Sequence, residues 1–216
     1  MGILFMGITS AVTLLGGVGT TCVALNPSGY DSMKGIAPYQ WLYILYVLIG
    51  VALGLLGVRA TIRLTWGNEY AEKSALLVLI GGVVIGGIHM ASSRTLRGSS
   101  MPVDAVVYIT ILTLIIFLLF RFPGVRAMEL YQRNGKESDQ AGSLTAIVIG
   151  LLVLGVQYWA GPTHVFNGIN YADAFHGAMT LTGTFLILLG AVLFAWSFPI
   201  FRNALFRQGE SFRQIT

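Results

Sequence analysis

The chain has 216 residues, of which 55% are hydrophobic and only 10% charged, with a formal net charge of +4 and a mean hydropathy of +0.76. That composition excludes an ordinary water-soluble domain, in which about a quarter of residues are charged. The basic balance marks membrane orientation and attraction to anionic headgroups, so no nucleic-acid partner is expected.

Crossing a hydrocarbon core takes roughly 20 apolar residues in a helix. Six stretches reach or approach that length: 3–25, 40–62, 74–92, 103–120, 143–160 and 174–197. Ile109–Phe120 and Leu144–Val156 are almost continuously apolar, whereas barrel strands alternate apolar and polar residues. The expected fold is therefore all-α: a polytopic bundle of six transmembrane helices forming one domain over residues 1–216.

The first stretch lacks a positive leading region and an Ala-x-Ala cleavage site, so it is read as a retained span rather than a signal peptide. It is interrupted by Gly16, Gly17 and Gly19 and contains the lone Cys22. Asn26–Pro38 opens with turn chemistry, Asn-Pro-Ser-Gly, and reads as a short loop followed by an aromatic anchor of Tyr39, Trp41 and Tyr43. The second span carries Gly50 and Gly54, and the third Gly82 and Gly86. This spacing forms a flat helix face for a neighbouring helix or a flat ligand. The fourth span is rich in Ile, Leu and Phe and reads as a lipid- or partner-facing helix.

Pro123 and Gly124 stop that span, and the residues after it look amphipathic and interfacial. The tail repeats the pattern, with Phe198, Ile200, Phe201, Leu205 and Phe206 alternating with Arg202 and Arg207. Both segments are expected to lie on the membrane surface or on a partner.

Orientation follows from the cations. With alternating spans, ten of the 13 Lys and Arg residues share a side with both termini, leaving Lys34, Arg94 and Arg97 opposite. The positive-inside rule then puts both termini in the cytoplasm, in a multi-pass protein of the cell (inner or plasma) membrane.

All three histidines fall on the outer side: His89 near the end of the third span, His164 in the fifth connection, His176 at the start of the sixth span. His89 and His176, beside Gly86, Gly87 and Gly177, form a candidate cofactor pair for one haem or chlorophyll, or a quinol site. His164, Asp173 and His176 form a candidate metal set, since imidazole and carboxylate suit Zn or Cu. Arg94 and Arg97 need anionic partners on this low-cation side, and Asp104 and Asp31 are available as ion-pair or lipid-contacting groups. Structural roles compete with each of these: Asp173 suits a helix cap, and the expected state carries no cofactor.

The chain has no phosphate-binding Gly-x-x-x-x-Gly-Lys motif, no Gly-x-Ser-x-Gly, no His-Glu-x-x-His and no Cys-x-x-Cys. It has no carboxylate at the centre of any span, which argues against ion-coupled pumping. The expected function is that of a non-catalytic membrane subunit packed in a larger complex, of an energy-transducing type, and not an enzyme on its own. A redox or pigment subunit and a small-molecule channel or transporter are the alternatives. The expected partners are the lipid bilayer and other membrane subunits.

Overall fold

The computed structural model describes residues 2–121, 135–160, 165–166 and 168–198. The main helices are α1 (Gly2–Gly19), α3 (Gln40–Thr65), α4 (Ala71–Arg97), α5 (Val103–Leu119), α6 (Gly135–Leu154) and α9 (His176–Trp196). Shorter helices are α2 (Thr21–Leu25), α7 (Val156–Ala160) and α8 (Tyr171–Ala174). A two-strand hairpin pairs Val165–Phe166 with Ile169–Asn170. The protein is thus all-α apart from that hairpin.

Among the described residues four helical stretches, Gly2–Leu25, Asp31–Thr65, Ala71–Arg97 and His176–Trp196, are long and apolar enough to cross a membrane. Val103–Leu119 and Asp139–Leu154 are apolar but shorter. At 1.5 Å per residue, the 17 residues of α5 rise only about 26 Å. Helix α6 begins in polar sequence and breaks at Gly155, where the Gly155 N–H still donates to Leu151 and the Tyr158 N–H donates to Gly155. The tail beyond Phe198 and the segment 122–134, read from the sequence as interfacial, lie outside the described residues, as does His164.

Helices α1, α3, α4 and α5 close a ring, each packing against the next and α5 against α1. Helix α6 packs outside the ring on α1 and α3, and α9 packs mainly on α6. Neighbours around the ring run antiparallel, as do α6 and α9. On α1 and α3, a Cβ on Gly17 would sit 3.1 Å from Val51, one on Gly54 2.9 Å from Leu14, and one on Gly57 2.5 Å from Ser10. On α4 and α5, Gly86 faces Val107 and Gly82 faces Thr110. Small residues replace side-chain bulk with backbone approach at these seams, which is how helices gain contact where lipid offers no hydrophobic contrast.

The α6–α9 seam follows a seven-residue spacing. Gly183 faces Gly150, and Gly190 faces the carbonyl of Ser143. The Gly-x-x-x-Gly pairs of α3 and α4 were legible in the sequence; this longer repeat was not.

Two apolar clusters hold the ring. Met6, Ala60, Ala75, Leu76, Leu79 and Phe117 fill one end. Ala24, Ile36, Tyr43 and Tyr46 fill the other. The loop expected after Asn26 is instead two 3-10 segments, Pro27–Gly29 and Asp31–Tyr39, folded back over the bundle. Ile36 is wholly buried and Gly35 abuts the Leu96 carbonyl. Tyr39 and Trp41 are exposed, but Tyr43 is buried and belongs to the packed end rather than to an aromatic belt.

Helix α5 also differs from the lipid-facing reading. Its Val107, Thr110, Thr113 and Phe117 are buried in the ring, while Tyr108, Leu112, Ile115 and Leu119 face outward. Thr110 bonds back to the Val106 carbonyl, as expected for an intramembrane threonine, but the Thr113 hydroxyl bonds Thr9 of α1 at 2.7 Å.

Candidate functional site

Between the two packed ends of the ring lies a small open cleft of about 70 Å³. Its walls come from all four ring helices. Gly16 and Gly17 of α1, Gly50 of α3, and Gly82 and Gly86 of α4 withdraw side chains from it, and Val103, Val106 and Val107 of α5 form an apolar wall. The sequence places three glycine-bearing faces around one axis, and at Gly16, Gly82 and Gly86 the missing Cβ lets α5 approach closely.

His89 lines this cleft. Its imidazole stacks on Tyr46 at 4.3 Å between centroids and 17° between planes, with the Tyr43 ring edge-on at 5.3 Å. The tyrosines are themselves tied down: Tyr43 OH lies 2.9 Å from Ser93 Oγ, and Tyr46 OH lies 3.0 Å from Ser92 Oγ. Tyr43 and Tyr46 sit one turn apart on α3 and Ser92 and Ser93 follow His89 by one turn on α4, so the spacing of both helices fixes the imidazole. Neither tyrosine was singled out from the sequence as a site residue; their shared face with i, i+3 spacing was the available signal.

His176 occupies a different place. It opens α9 with an exposed side chain, and its Nδ1 lies 3.4 Å from the Thr180 hydroxyl. No residue of α9 lines the cleft that holds His89. Asp173 accepts from Gln157 Nε2 at 3.4 Å, and Asn170 caps α8 by accepting from the Ala172 N–H. Among the described residues no three His, Cys, Asp or Glu side chains gather closely enough to hold a metal ion.

Beside the cleft, Arg94 clamps the α4–α5 connection. Its Nε donates to Ser100 Oγ at 2.8 Å, and its Nη2 reaches Asp104 at 3.1 Å and Tyr108 OH at 3.4 Å. Arg97 donates to the Met101 carbonyl at 2.6 Å. Helix α4 ends here because Gly98 adopts φ +72°, the left-handed stop that glycine permits, with its N–H on the Arg94 carbonyl. Asp31, the other acidic candidate, pairs with Lys34 at 2.7 Å instead. At the opposite end Glu72 pairs with Arg121 at 3.2 Å, and Arg63 donates to Ser74.

The fold and the cleft together define an all-α protein with several helices long and apolar enough to span a membrane. No family model, curated protein or solved structure matches the chain.

Proposed function

We propose that this chain is a six-span, non-catalytic integral membrane subunit of the cell membrane, with both termini cytoplasmic, that packs in a larger membrane assembly through α9. The antiparallel order of neighbouring helices supports the alternation of spans. The cations support the orientation. Arg59, Arg63, Lys73 and Arg121 fall at the end of the bundle where α3 finishes, α4 begins and α5 finishes, and Lys34, Arg94 and Arg97 fall at the other.

One observation carries the subunit reading: α9 is held mainly through a single seam. Leu181, Phe185, Leu188 and Val192 form one stripe on the face opposite Gly183 and Gly190, and each is 60–74% exposed. A second membrane protein packed on that stripe gives α9 a neighbour on its free side.

The test is the native mass of the chain extracted in a mild detergent. The reading expects a complex heavier than the 23.3 kDa chain, with a partner or a second copy resolved by mass spectrometry. Replacing the four stripe residues with alanine releases the lone chain while it still inserts. A wild-type chain that travels alone in detergent and in native-lipid discs contradicts the reading.

A further inference from the structure

Helix α3 carries a cation on the face it turns away from the ring. Gly54 and Gly57 set one side of α3 against Leu14 and Ser10 of α1. Arg59 follows Gly57 by two residues, slightly more than half a turn, so it projects to the opposite side. Leu48, Leu55, Ile62 and Trp66 share that outward side at helical intervals, and all of them are exposed, as is Arg59. Arg59 stands six residues before α3 ends at Thr65, a rise of about 9 Å. Its Cα–Cβ bond tilts toward the helix N-terminus, so the guanidinium sets out toward the apolar stretch. Among the described residues it makes no hydrogen bond and no ion pair. A cation among lipid tails is costly until an anion joins it.

The corner between α3 and α4 holds more cations than anions. Arg63, one turn beyond Arg59, uses only Nη1, which donates to Ser74 at 3.2 Å. Lys73, beside Ser74, is exposed and makes no ion pair among the described residues. Glu72 is taken by Arg121 at 3.2 Å. That leaves Glu69, in the α3–α4 connection, against three cations. The other end of the bundle differs: Lys34 and Arg94 have carboxylate partners, and Arg97 donates to the Met101 carbonyl.

We propose that the outward face of α3 binds an anionic phospholipid. Its phosphate is held between Arg59 and Arg63, and its acyl chains lie along Leu55 and Leu48. Residues one turn apart stand about 6 Å from each other, and a phosphodiester has two free oxygens, one for each guanidinium. The net negative charge of the head group answers the surplus of cations at this corner, which a zwitterionic lipid does not. The bilayer supplies such a group wherever this face stands in lipid, without need of the α9 contact.

The test uses the full chain with Trp66 as its only tryptophan (Trp41→Phe, Trp159→Phe, Trp196→Phe), placed in phosphatidylcholine nanodiscs. Quenching of Trp66 fluorescence is compared for brominated phosphatidylglycerol and brominated phosphatidylcholine at equal mole fraction. A second protein keeps Trp41 alone, on the same face at the far end of α3. The anionic lipid should quench Trp66 more strongly than the zwitterionic one, with no such preference at Trp41. Arg59→Gln and Arg63→Gln should each lower the preference about fivefold, the pull of an anionic surface on one cation. Equal quenching of Trp66 by the two lipids overturns the proposal and leaves Arg59 to a carboxylate of a neighbouring protein. An equal preference at Trp41 overturns it too, because general attraction to a basic chain then explains the effect. So does an unchanged preference in both arginine variants. Quenching by neither lipid contradicts the proposal and takes α3 out of the bilayer, and the six-span reading falls with it. The α9 contact is untouched by a difference between the two lipids. Helical circular dichroism checks each variant, and one that is not folded is replaced by Arg59→Met or Arg63→Met.

Discussion

Gly150 and Gly183 meet backbone to backbone. A Cβ on Gly150 would sit 2.7 Å from the Gly183 carbonyl oxygen, and one on Gly183 would sit 2.8 Å from the Gly150 carbonyl oxygen. The contact is closer than any side chain tolerates, and it is the main attachment of α9 to the bundle. Gly177 lies on the same helix with nothing within 4 Å of where its Cβ would be.

This contrast gives a paired prediction. Gly183→Ala should destabilise the α6–α9 hairpin by about 1–3 kcal/mol through overpacking. Gly177→Ala should be neutral or stabilising by up to about 1 kcal/mol, because alanine favours the helix. Unfolding monitored in detergent by thermal or denaturant titration reads both. Equal effects at the two positions would show that α9 does not rest on this seam.

The Thr9–Thr113 hydrogen bond, 2.7 Å long and buried between α1 and α5, is measurable by a double-mutant cycle. Thr9→Val, Thr113→Val and the double variant should give a coupling of about 0.6 kcal/mol, the average for interhelical hydrogen bonds in membranes. Each single variant should be the more harmful per hydroxyl removed, because it leaves the partner hydroxyl buried and unpaired. Zero coupling would mean that both hydroxyls return to their own helix backbones.

Arg94 grips Ser100, Asp104 and Tyr108 at once, which only a planar fork with several donors can do. Arg94→Lys keeps the charge and loses that geometry. The amides of residues 98–101 should then exchange hydrogen faster, with little change in the melting temperature, since Arg94 is half-exposed. Unchanged exchange in Arg94→Lys would reduce the clamp to simple charge attraction.

Much of the helix content was legible because long apolar runs are the signature of membrane-spanning sequence. The expected span 40–62 became α3, Gln40–Thr65, and 174–197 became α9, His176–Trp196. What could not be read was how the helices face one another. Helices apolar all round carry no moment to point at a core, so the burial of Tyr43 and the pairing of Thr113 with Thr9 were invisible in one dimension. The refolded loop around Ile36 was hidden for another reason: its composition signals turns but not what those turns cover. His89 was singled out as a candidate haem, chlorophyll or quinol ligand from its position near glycines, and the structure adds the tyrosine stack that holds it. His176 was grouped with it only by depth, and depth says nothing about azimuth around a bundle.

The alternation of spans underlies the proposed orientation. It is tested directly by cysteine accessibility in intact cells, in a Cys22→Ala background because Cys22 is the chain's one native thiol. Ser99, in the exposed α4–α5 connection, Glu69, in the α3–α4 connection, and Gly135, at the start of α6, are each replaced singly by cysteine. A membrane-impermeant maleimide should label Ser99→Cys in intact cells, and should label Glu69→Cys and Gly135→Cys only after the membrane is opened. Labelling of Glu69→Cys or Gly135→Cys from outside, with Ser99→Cys protected, would contradict the account.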